Sequence, residues 1–197
     1  MELENKIENC KLCGDLPKPK CNSFKTGNCN ILIVGESPAK DGWLKSGKAF
    51  YDVNNNLQAT GKILNKLLNL IDLTIDDVAF TECCKCHIAN RKLLEKCSQN
   101  CKQYLLEQIK TCKETIILSM GVFATQILLD EKIKNFSNYV GKQFKIFNKT
   151  IIPIYHCSPV NPKSYVGNVE IFKAIKKAIK FWLLFYFILH IQHYVFP

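Results

Sequence analysis

Three short apolar runs, each stopped by a turn and separated from the next by a helical repeat, leave this chain little choice of fold. Ile31-Leu32-Ile33-Val34 ends at Gly35, Val78-Ala79-Phe80-Thr81 leads into Cys83, Cys84 and Cys86, and Thr115-Ile116-Ile117-Leu118 is broken by Gly121. Runs without a polar break read as strands buried on both faces, the kind that a parallel sheet contains. Between the first two, Ile63, Leu64, Leu67, Leu68 and Ile71 recur at three and four, which predicts a helix with Thr60 as its cap. A second helix is expected from near Cys101, carrying Leu105 and Ile109 inward, and a short third one runs through Leu128. Phe144 to Tyr155 reads as extended chain stopping at His156, and a last helix spans Val169 to Lys180. This alternation predicts a three-layer α/β domain with a mostly parallel sheet.

The chain's 197 residues suffice for one such domain, over 1–180, followed by an apolar extension over 181–197. Phe181 to Leu189 is an unbroken apolar run of nine residues. A bilayer span needs about 20, so membrane attachment is not expected. Lys and Arg total 27 against 17 Asp and Glu, a net charge of +10 that favours an acidic partner, most often nucleic acid. Eleven cysteines are an odd number, and the chain is charged from Met1-Glu2-Leu3-Glu4 onward with no secretory pattern. The expected setting is therefore the reducing cytoplasm, where clustered cysteines point to metal more than to disulfides.

Cys10-Lys11-Leu12-Cys13 is a CxxC pair, and Cys86 is followed fifteen positions later by Cys101. Four thiolates so gathered suit a tetrahedral zinc or a [4Fe–4S] cluster. Cys97 competes with Cys101 for the fourth place, and Cys83 and Cys84 compete with Cys86. Ligands collect beyond the carboxyl ends of parallel strands. The segments to watch are thus Gly35–Phe50, Glu82–Cys86, Ser119–Gly121 and His156–Tyr165. The first offers the Glu36 and Asp41 carboxylates, either of which can orient a water, and the Phe50 ring, which can stack on a base. In the last, His156 can donate a hydrogen bond to an oxygen that gains charge in a transition state. Alone, each of these has a bland alternative as turn, core or strand-end residue.

In this order the pieces resemble the uracil-DNA glycosylase superfamily, in its iron–sulfur branch. The CxxC is followed by Val34-Gly35-Glu36-Ser37-Pro38, similar to a strand leading into GE-x-PG. Gly47 to Phe50 resembles G-x-x-F, and Thr81-Glu82-Cys83-Cys84-Lys85-Cys86 resembles TN-x-x-KC. Cys101 to Leu105, Met120-Gly121-Val122-Phe123-Ala124 and His156-Cys157-Ser158 resemble the branch's cysteine helix, its LG-x-x-A turn and its HPS motif. The resemblance implies a four-stranded parallel sheet between helices and a structural [4Fe–4S] cluster on Cys10, Cys13, Cys86 and Cys101. It also implies a monofunctional DNA glycosylase that flips a uracil or other damaged base out of single- or double-stranded DNA. Glu36 and His156 would be catalytic, with Phe50, Glu82, Ser37, Asp41 and Ser158 around the base. Val160, Lys163 and Tyr165 would lie on the DNA, Val160 or Tyr165 filling the gap in the stack. No obligate protein partner is implied, and no lysine stands out as a Schiff-base nucleophile.

The sequence departs from the pattern at Ala39, which replaces a glycine, at Cys157, which replaces a proline, and at a loop one residue short before Asn90-Arg91. The sharpest departure is Glu82, where the pattern has asparagine. An ionised carboxylate accepts from uracil N3–H but has no proton for O4. Two other readings follow: a catalytically silent iron–sulfur protein that binds nucleic acid, and a zinc-stapled binding module.

Overall fold

The computed structural model describes residues 2–18 and 23–179; the apolar extension over 181–197 and Cys21 lie outside them. Six strands form one sheet: β1 (Phe24–Lys25), β2 (Ile31–Gly35), β3 (Ala79–Glu82), β4 (Ile116–Met120), β5 (Phe144–Ile146) and β6 (Lys149–Ile154). Their spatial order is β1-β3-β2-β4-β6-β5. The four inner strands are parallel, as expected, with Ile33 beside Phe80 and Leu118, and Leu118 beside Ile152. The expected count of four is corrected to six by two short antiparallel edges, β1 on β3 and β5 on β6. The two-residue β1 is too short for any apolar periodicity, and the stretch expected to be extended from Phe144 divides into two strands, β5 and β6, about a turn.

The helices are α1 (Glu2–Glu8), α2 (Trp43–Ser46), α3 (Ala59–Asn69), α4 (Leu94–Thr111), α5 (Val122–Leu129) and α6, over 169–179. Alternate residues of each inner strand face opposite layers. Ile31, Ile33, Phe80, Leu118 and Ile152 pack with Leu64, Leu67 and Leu68 of α3 and with Phe172 and Ile175 of α6. Leu32, Val34, Ala79, Ile117 and Ile151 pack with Leu105 and Ile109 of α4 and with Ile127 and Leu128 of α5. That is the three-layer arrangement.

Two helix starts differ from expectation. Thr60 lies inside α3, whose N-cap is Gln58 with no capping side chain. Helix α4 begins two turns before Cys101, at Leu94, after a 3-10 turn over Arg91–Leu93 in which the Asn90 side chain accepts from the Lys92 N–H. The polar stretch Ser98-Gln99-Asn100 hides that start, because Leu94, Cys97 and Cys101 carry its buried face instead. No helix among the described residues is long and apolar enough to cross a membrane.

Candidate active site

Because β2, β3, β4 and β6 run parallel, their carboxyl ends deliver Glu36, Glu82, Met120 and His156 to one edge of the sheet. The parallel pairing continues past the strand ends, where Cys83 N–H donates to Gly35 O at 3.0 Å and Cys84 N–H to Glu36 O at 2.9 Å. The result is a cavity of about 150 Å³ lined by Glu36, Ser37, Phe50, Phe80, Glu82 and His156, with Ala39, Trp43, Thr60 and Met120 completing its wall. Elsewhere a cavity of that size holds one benzene ring. Imidazole, carboxylate and flat ring thus share one hollow.

Phe50 is the wall's aromatic plate. Its ring centroid lies 4.3 Å from that of Phe80, which stands 5.2 Å from Trp43. Its backbone has a φ of +70°, a conformation that costs a bulky residue on the order of 1–3 kcal/mol. Helix α3 holds it there: a Cβ on Gly61 would come within 3.0 Å of the Phe50 Cβ, so glycine lets the helix press against this turn.

His156 sits against Gly121, whose φ of +93° and missing side chain let the imidazole approach; a Cβ there would stand 3.2 Å from the histidine's own. The Ser158 backbone N–H donates to Nδ1 at 3.1 Å. With Nδ1 accepting, the ring proton belongs on Nε2. Burial holds the imidazole below its ordinary value, against the upward pull of Glu36, while Arg91 adds to the lowering. Asn161 anchors the same turn by donating to His156 O at 2.9 Å.

Glu36 is forked by Arg91, whose guanidinium donates to both carboxylate oxygens, the Oε2 contact being 3.0 Å. Sequence reasoning missed this partner. The available signal was composition: Arg91 is the chain's only arginine among 27 basic residues, and only guanidinium makes a planar fork.

Glu82 is buried, and its Oε2 has no hydrogen-bond partner among the described residues. Burial raises its carboxyl well above the ordinary range; Lys85 opposes this and Glu36 adds to it. Lys85 does not hydrogen-bond that carboxyl. Its buried ammonium donates to Thr81 Oγ1 at 2.8 Å, Gln108 Oε1 at 2.6 Å and the Glu82 backbone oxygen at 2.6 Å. Burial pushes the Lys85 amine down to about 8.

The remaining predicted residues lie outside the cavity wall. The exposed Asp41 pairs with Lys45 at 2.5 Å, and Ser158 contributes its backbone rather than its hydroxyl. Val160, Lys163 and Tyr165 lie on the surface loop that follows His156, with Val160 88% exposed and Tyr165 37%. Lys163 stands over the Tyr155 ring, 5.2 Å from its centroid.

A separate cluster of buried residues is rich in sulfur, with Cys84, Cys86 and Cys97 packed beside Cys13. Burial first, then the neighbouring thiols of Cys101, Cys10 and Cys13, push Cys86 up to about 11, Lys18 opposing. Cys101, raised chiefly by burial, also neighbours Cys13 and Cys10. The four predicted ligands are thus drawn together from α1's end, the loop after β3 and the middle of α4. Cys97 adjoins Cys13, whereas Cys83 belongs to the core between sheet and α4. Among the described residues no three His, Cys, Asp or Glu side chains stand close enough for a single metal ion.

Fold and cavity together define a three-layer α/β protein with a ring-sized site at the carboxyl ends of its strands. The chain belongs to the Uracil DNA glycosylase superfamily, whose pattern matches residues 22–180. The Type-4 uracil-DNA glycosylase of Archaeoglobus fulgidus is 32% identical over 170 residues, 81% of either chain. That of Saccharolobus solfataricus is 27% identical over 191 residues, 90% of this chain and 85% of its own. The protein of the same name from Sulfurisphaera tokodaii is 27% identical over 196 residues.

Proposed function

We propose that this chain is a monofunctional uracil-DNA glycosylase, a hydrolase that opens the N-glycosidic bond of a deaminated base in DNA for base-excision repair. The observation that carries the site assignment is His156: with Nδ1 occupied by the Ser158 N–H, a neutral imidazole directs its Nε2 proton toward the ring-sized cavity it lines. That proton would bond uracil O2 and stabilise the charge that gathers there as the bond to the sugar breaks. Phe50 would stack on the flipped base. Glu36, held in the Arg91 fork, would face the oxocarbenium-like sugar and orient the water that captures it, as carboxylates do in other glycoside hydrolyses. Ser37 completes the wall, while Asp41 and the Ser158 hydroxyl would act no closer than its rim.

The net charge of +10 suits a phosphate backbone, which Lys163 would contact beside Val160 and Tyr165, one of these wedging into the stack that the flipped nucleotide leaves. The donor set fits a [4Fe–4S] cluster: four cysteines from three separate segments, each neighbouring others of the set and all offering soft thiolates. Cys10, Cys13, Cys86 and Cys101 would hold it, and when bound it would supply cross-linking between those segments rather than electron transfer. A reducing, intracellular setting keeps such thiols available to iron.

The test is incubation of cluster-bearing protein with a uracil oligonucleotide, single-stranded and mismatched, followed by alkali. Strand cleavage that needs the alkali is expected, as is its loss in His156→Ala. An uncut oligonucleotide, or a His156→Ala rate equal to that of the parent, overturns the assignment.

A further inference from the structure

One carboxyl on the cavity wall has an orphaned oxygen. Glu82 ends β3 at the cavity wall, its Oε2 sealed from solvent and unpartnered among the described residues. A buried polar oxygen without a partner costs free energy, and an unpaired buried charge costs far more. Lys85 and Glu82 attract each other, but none of the charged groups around the carboxyl hydrogen-bonds that oxygen. Lys85, from the following loop, commits its ammonium to Thr81, Gln108 and a backbone carbonyl. Arg91 is committed to Glu36, and Glu36 itself, from the loop after β2, is a second carboxylate on the same wall. His156, from the turn after β6, lines the same cavity, with burial holding its imidazole below the ordinary value. The Cys83 and Cys101 thiols, both buried, carry no positive charge.

We propose, on the base-excision reading above, that Glu82 reads the bound base as a neutral carboxylic acid. Its carbonyl oxygen accepts from a ring N–H, and its O–H donates to the exocyclic carbonyl oxygen beside that N–H. The protonated carboxyl then presents one acceptor and one donor side by side, the edge that a primary amide would offer. The substrate class it selects is a base with a lactam edge, N–H next to C=O, as in uracil N3–H and O4. Ionisation removes the donor and sets a negative oxygen against O4, so the same group that confers recognition also limits the pH range in which recognition works. The raised titration of the buried carboxyl agrees with this geometry.

Two measurements test it. First, in protein carrying glutamate labelled with carbon-13 at the side-chain carboxyl, the resonance missing from Glu82→Gln should stay at its protonated position through pH 7. A carboxylate position at pH 6 overturns the proposal without any appeal to activity. Second, single-turnover uracil excision is followed from pH 6 to 10 in the parent and in Glu82→Gln, whatever the height of the variant's rate. Taking the ratio of the two rates cancels the titration of uracil itself. That ratio should fall about tenfold per pH unit above the Glu82 midpoint found by NMR. A ratio flat across the range, with the parent active, overturns the proposal alone; no excision by the parent at any pH overturns the base-excision reading and this one with it.

Discussion

Arg91 reaches from the 3-10 turn before α4 to grip both oxygens of Glu36 at the end of β2, across 55 positions of sequence. The pair fixes a carboxylate at the mouth of a cavity that a flat ring can enter. Because the arginine is 67% exposed at its side chain, the contact adds little to stability; such pairs contribute about 0–1 kcal/mol. Its value is in aim.

Arg91→Lys should therefore separate the two quantities. A point charge on a flexible stem cannot fork a carboxylate. The excision rate is expected to fall roughly 10–100-fold, the scale of a misplaced group near a reacting centre, while Tm stays within about 2 °C. Single-turnover kinetics beside calorimetry checks both; a large drop in Tm would make Arg91 a structural residue.

Glu82 and His156 give opposite pH signatures in stability. The Glu82 carboxyl titrates well above the model-compound 4.5 when folded, so the stability it allows is full below that value and lost as pH rises toward its folded midpoint. Glu82→Gln should accordingly melt above the parent at pH 8, with the gap closing toward pH 4. His156 is held below 6.5 when folded, so its contribution is intact above 6.5 and lost as pH falls through its folded midpoint. His156→Gln should flatten the melting profile between pH 7.5 and 5. Thermal scans across pH read both signs.

Phe50→Ala removes the plate on which a base would stack. A stacked base contributes about 1–3 kcal/mol to binding, so the KM for a uracil oligonucleotide should rise roughly 5–150-fold. Circular dichroism should be unchanged, since removing the ring leaves the Gly61 contact, made through the Phe50 backbone and Cβ, in place.

Iron content distinguishes the thiols. Cys101→Ser should abolish a broad visible absorbance near about 400 nm together with iron and acid-labile sulfide, and Cys97→Ser should keep them. Cys97 neighbours Cys13, Cys101 and Cys86 as well, so this pair of variants decides which of the two thiols on α4 completes the ligand set. Zinc in place of iron in the purified parent would leave the absorbance absent in every variant.

Strands β2, β3 and β4 are legible because each holds a short apolar run, which a strand buried on both faces favours, whereas β6, with Lys149 and Pro153, reads only as part of a longer extended stretch. Ile31–Val34 lies wholly within β2, and the Thr115–Leu118 run starts one residue before β4. Phe144–Ile146 falls within the stretch expected to be extended, but that it and Phe24–Lys25 are antiparallel edges depends on pairing with β6 and β3, which no local pattern carries. His156, Phe50 and Glu36 could be singled out by residue type and strand-end position. The Arg91 fork and the ammonium of Lys85, turned away from the adjacent acid toward Thr81 and Gln108, depend on distant partners and emerge only in three dimensions.

Phe50 is fixed in a left-handed turn between Phe80 and Gly61. This wall of the pocket is consequently set in advance, and little ordering of the ring remains to be done when a planar group arrives. A plate fixed in this way favours ligands whose outline already matches the gap beside it, so shape is screened together with hydrogen bonding.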